Sequence, residues 1–458
     1  VVGLGRSGIS AALYLRSLGA AVTVSDSRSA DALAQTLPQL HQAGIMVETG
    51  GHGVQTFCQQ DLIVVSPGVS LATPELQQAV SSGIPVIGEL ELASNYLPGR
   101  VLGITGTNGK TTTTTLLGKI LAESGLPTLV GGNIGQPVVD LIAASSPDTW
   151  SVLELSSFQL ESIEKFRAQI AVVLNITPDH LDRHGSMENY IAAKRRILEN
   201  QLPEDAAVLN ADDDLAHRLA SAVRSRLFWF SRSRAVRQGA FVVPPPGSHP
   251  PAANAQIVFV PREGAPPEPV MPVVGIPIKG SHNLENVLAA VCAARLAGVA
   301  ADSIRNSVEN FRAVEHRLEF VAEIHGVSYY NDSKATNVDA TIKALGAFPA
   351  GVHLILGGKD KDSDYTQLAP LLPGRVRAVY TIGSAAEKIA HQLDGVVKIE
   401  SAGTLQNAVQ MAAGVACAGD VVLLAPACAS FDQFENYEHR GRVFKELVAT
   451  LGAAARPT

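Results

Sequence analysis

Short apolar runs alternate along the chain with stretches whose apolar positions recur every three to four residues. That rhythm predicts strands of a parallel sheet interleaved with covering helices. Residues 1–4, 21–25 and 61–66 read as strands of a first unit, and 9–18 as a helix stopped at Gly19. Leu97-Pro98-Gly99-Arg100 breaks the rhythm and reads as a linker. A second unit has buried strands at 101–105, 151–155 and 170–176. Its first helix runs to Ser124 with Gly125 as cap, and another covers 188–200. The proline-rich stretch from 239 to 277, with Pro244-Pro245-Pro246 and Pro266-Pro267, reads as variable loops and edge strands rather than core. A third unit starts near Glu315, with strands at 327–331, 353–356, 378–382, 396–399 and 421–424 and a closing helix over 440–451. The expected fold is α/β in three domains, over 1–98, 99–314 and 315–458.

Length and charge narrow the picture. A chain of 458 residues, 46% apolar, has material for about three cores. Thirty-six Lys and Arg against 43 Asp and Glu leave a formal charge of −7 without like-charge blocks. Such a surface speaks against duplex nucleic acid or an anionic membrane as the main partner. Cys58, Cys292, Cys417 and Cys428 show no metal or disulfide spacing and read as buried thiols in a reducing compartment. With no apolar run of membrane length and no signal peptide, a soluble, cytoplasmic monomer is expected. The chain opens on Val1-Val2 without methionine, so its first strand is expected to be cut short.

The candidate chemistry sits at strand ends. Gly3-Leu4-Gly5-Arg6-Ser7-Gly8 fits the G-x-G-x-x-G turn, with Asp26 closing the next strand. Such a turn offers helix N-terminal amides to a diphosphate, in NAD or in a UDP-sugar, or serves the fold alone. Gly106-Thr107-Asn108-Gly109-Lys110-Thr111 follows a strand and opens a helix, although Ile104 stands where a strict P-loop has its first glycine. Its amides suit phosphates, the Lys110 ammonium suits the β/γ oxygens and the Thr111 hydroxyl suits Mg²⁺. Glu154 ends a buried strand, where a carboxylate is costly unless paired or metal-bound. His180, in Asn175-Ile176-Thr177-Pro178-Asp179-His180, follows another strand end. Lys194 reads from its spacing as an ordinary solvated helix lysine. In the third unit, Glu315-His316-Arg317-Leu318-Glu319, the 331–337 string, Gly357-Gly358-Lys359-Asp360-Lys361 and the 425–434 string gather cations suited to anionic groups.

Together with Gly131-Gly132-Asn133-Ile134-Gly135 and the 153–161 string, these motifs resemble the Mur ligases over essentially the whole chain. The third-unit strings resemble the branch that adds D-glutamate. The resemblance implies an ATP-dependent, amide-forming enzyme of peptidoglycan precursor synthesis. It implies a Rossmann-like first domain for the UDP-substrate, a P-loop-type middle domain for ATP and a Rossmann-like third domain that receives the amino acid. It reassigns the first glycine turn to the UDP-substrate, with Gly5, Arg6, Ser7, Asp26, Ser27, Arg28, Ser66 and Gly68 around it. Asn133, Ser156 and Gln159 match positions near the muramoyl group. For ATP it implies residues 106 to 112 (Gly106, Thr107, Asn108, Gly109, Lys110, Thr111, Thr112), with Asn286 at adenine, Asp332 at ribose and Arg317 on the phosphate side. Thr111, Glu154, His180 and Lys194, the last as a CO₂-derived carbamate, match a set for two Mg²⁺ ions. Lys334, Thr336, Lys361, Ser430, Phe431 and Tyr437 match the D-glutamate pocket, with Phe431 where relatives often carry Leu. UDP-N-acetylmuramoyl-L-alanine, D-glutamate and ATP are the implied substrates.

Overall fold

In a computed structural model of the chain, residues 1–244, 254–278, 280–312 and 314–454 are described. Three α/β units follow one another. In the first, parallel ladders Thr23–Asp26 with Met46–Thr49 and Ile63–Val65 with Val86–Gly88 are joined through Val2, which bridges both Ser25 and Val65. Of the strand expected at 1–4, Val2 is the residue that pairs. The first helix, Arg6–Ser17, begins directly on the glycine turn, earlier than its periodicity suggested.

The middle sheet has nine strands among the described residues. Its parallel centre runs Ala206–Asn210, Ile170–Val173, Arg100–Thr105, Trp150–Glu154, Thr128–Gly132. Trp150–Glu154 is buried at all five positions, as expected of a parallel strand covered on both faces. The strand expected to reach 176 ends at Val173, because the chain turns there into the 174–180 loop.

The proline-rich stretch corrects one expectation. Gly239–Val243, Gln256–Val260 and Glu268–Pro272 do form antiparallel strands at one edge. They are not peripheral, however: Ala240, Val242, Ile257, Phe259 and Met271 join the main core beneath the Ser281–Leu296 helix. Alternation puts every second residue on that face even where prolines flank the strand. Pro245 and Pro246 lie outside the described residues.

The third sheet orders Glu319–Ile324, Val327–Asn331, Val421–Leu424, Val352–Gly357, Val376–Ile382, Ile399–Gly403, parallel except for the first pair. Its closing helix starts at Tyr437 and runs to Ala454.

The joints between the units differ in kind. First and middle units share one apolar cluster, running from Ala11, Val64 and Leu90 to Val138, Leu153 and Leu160. At that joint the buried Glu91 carboxylate accepts from the amides of Glu164, Lys165 and Phe166, at 2.8–2.9 Å. The third unit keeps its own apolar clusters and meets the middle one through polar side chains. Two expectations about cysteine also shift: Cys292 and Cys428 are buried, Cys58 only partly so, and Cys417 is exposed.

Candidate functional site

The strand Arg100–Thr105 runs into the glycine-lysine loop, and the helix Lys110–Glu123 starts where the loop ends. Gly109 is its left-handed N-cap (φ 86°). A Cβ there would lie 2.1 Å from Asn286 Oδ1, so glycine is required both for the backbone and for the approach of the Asn286 helix. The loop is braced from behind. Asn108 N–H donates to Asn175 Oδ1 (2.8 Å), and Asn175 Nδ2 donates back to Asn108 O (3.0 Å). Thr107 Oγ1 donates to Thr177 O and lies 3.1 Å from the Tyr190 hydroxyl. Lys110 folds over the loop, its Nζ donating to Gly106 O and Thr107 O. Burial lowers its pKa despite the Glu154 charge.

Thr111 is where the units converge. Its hydroxyl donates to Glu154 Oε2 (2.8 Å) and accepts from Arg317 Nη2 (2.9 Å) and Lys334 Nζ (3.0 Å). Asn133 Nδ2 holds the other Glu154 oxygen at 2.9 Å. Burial opposes the charge on Glu154, but Lys334, Lys110, the Asn133 amide and Arg317 outweigh it and keep the carboxyl below its usual range. Lys334 is pushed down to about 8, by burial first and then by Arg317; its Nζ also donates to the Tyr437 hydroxyl.

Lys194 is not the solvated lysine its spacing suggested. It is 1% exposed, donates to Gly106 O at 2.7 Å and packs on the Tyr190 ring. Burial, with Lys110 nearby, drives its pKa well below the ordinary lysine range. His180, left-handed at φ 54°, rests edge-on against Phe158 beside Asp179, and burial keeps its imidazole toward the neutral form. Asp179 also meets Lys361 (3.6 Å) and Asn337 (3.1 Å) from the third unit.

Next to the loop, Asn108, Gly109, Thr112, Asn286, Arg317, Asp332 and Lys343 line a cleft between middle and third units. Asn286 Nδ2 donates to Asn283 Oδ1, so the two amides hold each other in place on their helix. Asp332 is raised to about 6 by burial, partly offset by Arg317.

In the first unit the glycine turn is tight: a Cβ on Gly8 would meet Gly3 O at 1.9 Å. Asp26 accepts from the Leu4 amide and from Arg28 and is held at about 2, chiefly by the Arg28 hydrogen bond. Ser66 Oγ donates to Gly3 O, and Gly5, Arg6 and Ser27 stay exposed. Arg6 Nη2 reaches Gly135 O (2.7 Å), which brings the first turn up to the Asn133 turn. Arg183 ties the Gly68 carbonyl to the middle unit. Ser156 and Gln159 form a capping box at the helix Ser157–Leu160, so their side chains also serve the fold.

The D-glutamate candidates are gathered less completely. Lys334 and Tyr437 touch, Lys361 faces Asp179 and Ser430 is buried, whereas Phe431 is 67% exposed. Sequence reasoning passed over Asn175, Tyr190, Asp339 and Arg440. The Arg440 guanidinium, fully buried, donates to the carbonyls of Ser333, Cys428 and Ala429 and so ties the 331–337 and 425–434 strings together. Among these, only Asn175 carried a signal, its place in the strand-end string.

The chain matches three family models: Mur ligase MurD-like, N-terminal domain, over residues 1–88; Mur ligase middle domain, over 104–294; and Mur ligase, glutamate ligase domain, over 316–428. The chain belongs to the Mur ligase family. Mur ligases named UDP-N-acetylmuramoylalanine--D-glutamate ligase from Acidobacterium capsulatum and Koribacter versatilis are 64% and 58% identical to it. The matches cover 99% and 98% of this chain and 97% of each relative. Among solved structures, UDP-N-acetylmuramate-alanine ligase MurC from Thermotoga maritima aligns with a TM-score of 0.60 at 20% identity over 98% of both chains. The MurF ligase from Thermotoga maritima in complex with ADP aligns with a TM-score of 0.59 at 16% identity, covering 86% of this chain and 99% of that one. At these identities the likeness speaks for the three-domain Mur ligase fold.

Proposed function

We infer that this Mur ligase joins D-glutamate to UDP-N-acetylmuramoyl-L-alanine at the expense of ATP, a step of peptidoglycan precursor synthesis. The observation that carries the reading is near full-length identity of 64% with a D-glutamate ligase, together with the glutamate ligase domain over 316–428. Residues 1–98 hold the UDP-substrate, 99–314 hold ATP and 315–458 receive the amino acid.

The chemical problem is that a carboxylate is a poor acylating agent, because its leaving group would be oxide. In the proposed path an oxygen of the alanyl carboxylate bonds to the γ-phosphorus as the bond to ADP breaks. The D-glutamate amine then forms the C–N bond, phosphate departs with the C–O electrons, and the amine proton is lost. The chain's contribution is positioning and charge compensation. Arg317 and Lys334 bring two cations to the Thr111 hydroxyl at the head of the loop, and Lys110 folds over the loop close by, where the transferred group's charge would lie. Asn286 and Asp332 sit in the cleft at adenine and ribose. Lys334, Thr336, Lys361, Ser430, Phe431 and Tyr437 surround the incoming amino acid, and closure around it keeps water from the reactive acyl group.

The donor set fits Mg²⁺. Thr111 offers a hydroxyl and Glu154 an ionised, buried carboxylate, the oxygen ligands a hard cation takes. A bound ion would neutralise phosphoryl charge there. His180 and Lys194 complete the set for a second ion once Lys194 is carbamylated. Carbamylation needs an unprotonated amine, and burial shifts Lys194 toward that form.

The test is phosphate release from ATP and UDP-N-acetylmuramoyl-L-alanine with and without D-glutamate. Release that depends on D-glutamate, with L-alanine and L-lysine inert, is expected. Equal turnover with either of those amino acids would move the assignment to another branch of the family.

A further inference from the structure

We propose that Tyr365 is a positioning residue for the incoming amino acid: its hydroxyl ties the turn that carries Lys361 to the string that carries Ser430 and Phe431. On the ligase reading that amino acid is D-glutamate; the tie itself stands on separate contacts. Tyr365 opens the 3₁₀ helix Tyr365–Leu371 and is fully buried in its own domain's apolar core, with Leu356, Leu368 and Ile389. Its amide donates to Gln392 Oε1 (2.8 Å), so its backbone is fixed as well as its ring. The hydroxyl donates to Asp360 Oδ1 (2.8 Å) and lies 2.9 Å from Cys428 Sγ. A phenol has one proton to give, so with that proton on Asp360 the thiol is the donor to the phenol oxygen. Burial pushes the Cys428 thiol up to about 12, which keeps that S–H in place. Donors thus run from Cys428 to Tyr365 to Asp360, from one segment of the pocket to the other.

Both segments need holding. Gly357 N–H donates to Pro426 O (2.8 Å) and Lys359 N–H to Ala429 O (2.9 Å); past Lys359, among the described residues, no backbone bond joins the turn to the string. Asp362, beside Lys361, is left-handed at φ 59°, and Ala427, beside Cys428, at φ 56°. Non-glycine residues keep such a conformation only where surrounding contacts impose it. For the turn those contacts gather on Asp360, which accepts from the Ser363 amide (3.1 Å) and from Lys388 Nζ (2.7 Å) besides the Tyr365 hydroxyl. Lys388 draws the turn toward the helix Ala386–Gln392, whereas Tyr365 links it to the 425–434 string. On that string Arg440 takes the carbonyls of Cys428 and Ala429 and leaves the Cys428 side chain to Tyr365. Lys361 adjoins Asp360, and Ser430, 2% exposed, follows closely on Cys428. The Lys361 ammonium meets Asp179 only at 3.6 Å, so its place is set mainly by its turn. A cation and a hydroxyl that grip one small ligand must keep a fixed spacing, and the Tyr365 hydroxyl sets it.

Tyr365→Phe keeps the ring in its core and removes only the oxygen. A hydrogen bond to a charged group moves an equilibrium about tenfold, so the KM for D-glutamate is expected to rise about tenfold. The KM values for ATP and the UDP-substrate, and kcat, should stay within about twofold. Phosphate release with each substrate varied in turn reads that split, and general loosening of the domain would instead move all three KM values and the melting temperature together. Cys428→Ala breaks the tie from its other end and should raise the D-glutamate KM several-fold, the thiol being the weaker partner. The double variant should be no worse than Tyr365→Phe, because both changes remove one link. Cys428→Ser keeps a donor to the phenol oxygen and should restore the D-glutamate KM. If Tyr365→Phe loses more than a few degrees of melting temperature, the two Cys428 variants carry the test by the same readings. A D-glutamate KM unchanged in either single variant, equal rises for all three substrates, or additive losses in the double variant would overturn the proposal. D-glutamate-dependent turnover of the wild type reports on the ligase reading by itself: if another amino acid is accepted instead, that reading fails and the KM for that amino acid tests the tie.

Discussion

Replacing Glu154 by Gln keeps the shape of the side chain and removes the negative charge that Arg317 and Lys334 face across the Thr111 hydroxyl. Thr111 Oγ1 is 2.8 Å from Glu154 Oε2, 2.9 Å from Arg317 Nη2 and 3.0 Å from Lys334 Nζ. Each of those cations therefore lies within about 6 Å of the carboxylate. At an effective dielectric of about 20 each pair is worth roughly 3 kcal/mol. If bound substrate recovers one of the two interactions, the remaining ~3 kcal/mol corresponds to about a hundredfold loss in kcat/KM. The loss should fall on steps that need the third domain docked, because Arg317 and Lys334 both come from it. Initial rates of phosphate release with each of the three substrates varied in turn supply the measurement, with the melting temperature as control. A kcat/KM within threefold of wild type for all three would show that the convergence on Thr111 does no electrostatic work.

Lys110→Ala is expected to abolish measurable phosphate release, because the cation that folds over the loop is then missing; near-normal turnover would reject the phosphate-loop reading. Lys194→Ala is expected to be inactive and to regain partial activity with millimolar formate or acetate. A short acid can replace a carbamate but not an amine, so failure to recover at any concentration would count against carbamylation. Glu89, buried at the joint of the first two units, accepts from the Val139 amide, leaves its second oxygen unpartnered, and is raised by burial from 4.5 to about 7. The folded state therefore holds this proton more tightly than the unfolded one. The stability it contributes is full below about 4.5 and is lost as pH rises through about 7, a difference of roughly 3 kcal/mol. Glu89→Gln should raise the melting temperature at pH 8.5 and leave it nearly unchanged at pH 4; an equal effect at both would contradict the assignment.

The parallel strands with both faces covered were legible because burial on two sides leaves an unbroken apolar run. In the third unit the stretches 327–331 and 421–424 match Val327–Asn331 and Val421–Leu424 residue for residue. Where one face is open, the reading slipped. The edge strand Ile399–Gly403 was placed at 396–399, since Val396 and Val397 are apolar while the strand itself carries Glu, Ser and Gly. The helix expected over 188–200 is α-helical only to Arg195 and tightens to a 3₁₀ turn over Arg196–Leu198. Its apolar spacing continues through a change of pitch that spacing does not record.

The candidate site shows a sharper division. Residues at strand ends were singled out because the fold class says where ligands approach a parallel sheet. Lys194 was not, by spacing, and could not have been. Its chemistry depends on losing water, and it loses water to Gly106 and Tyr190, one of them 88 positions away. The same holds for Lys334, about 220 positions from the Thr111 hydroxyl it reaches. A local pattern reports what a side chain is and which face it takes. The energy that shifts a buried lysine toward its neutral form, or makes two cations tolerable around one hydroxyl, comes from what lies opposite. That is set by how the domains dock. The reactive features of this ligase are therefore properties of its interfaces, and substitutions at the docking surfaces are expected to change the chemistry as much as substitutions in the loop.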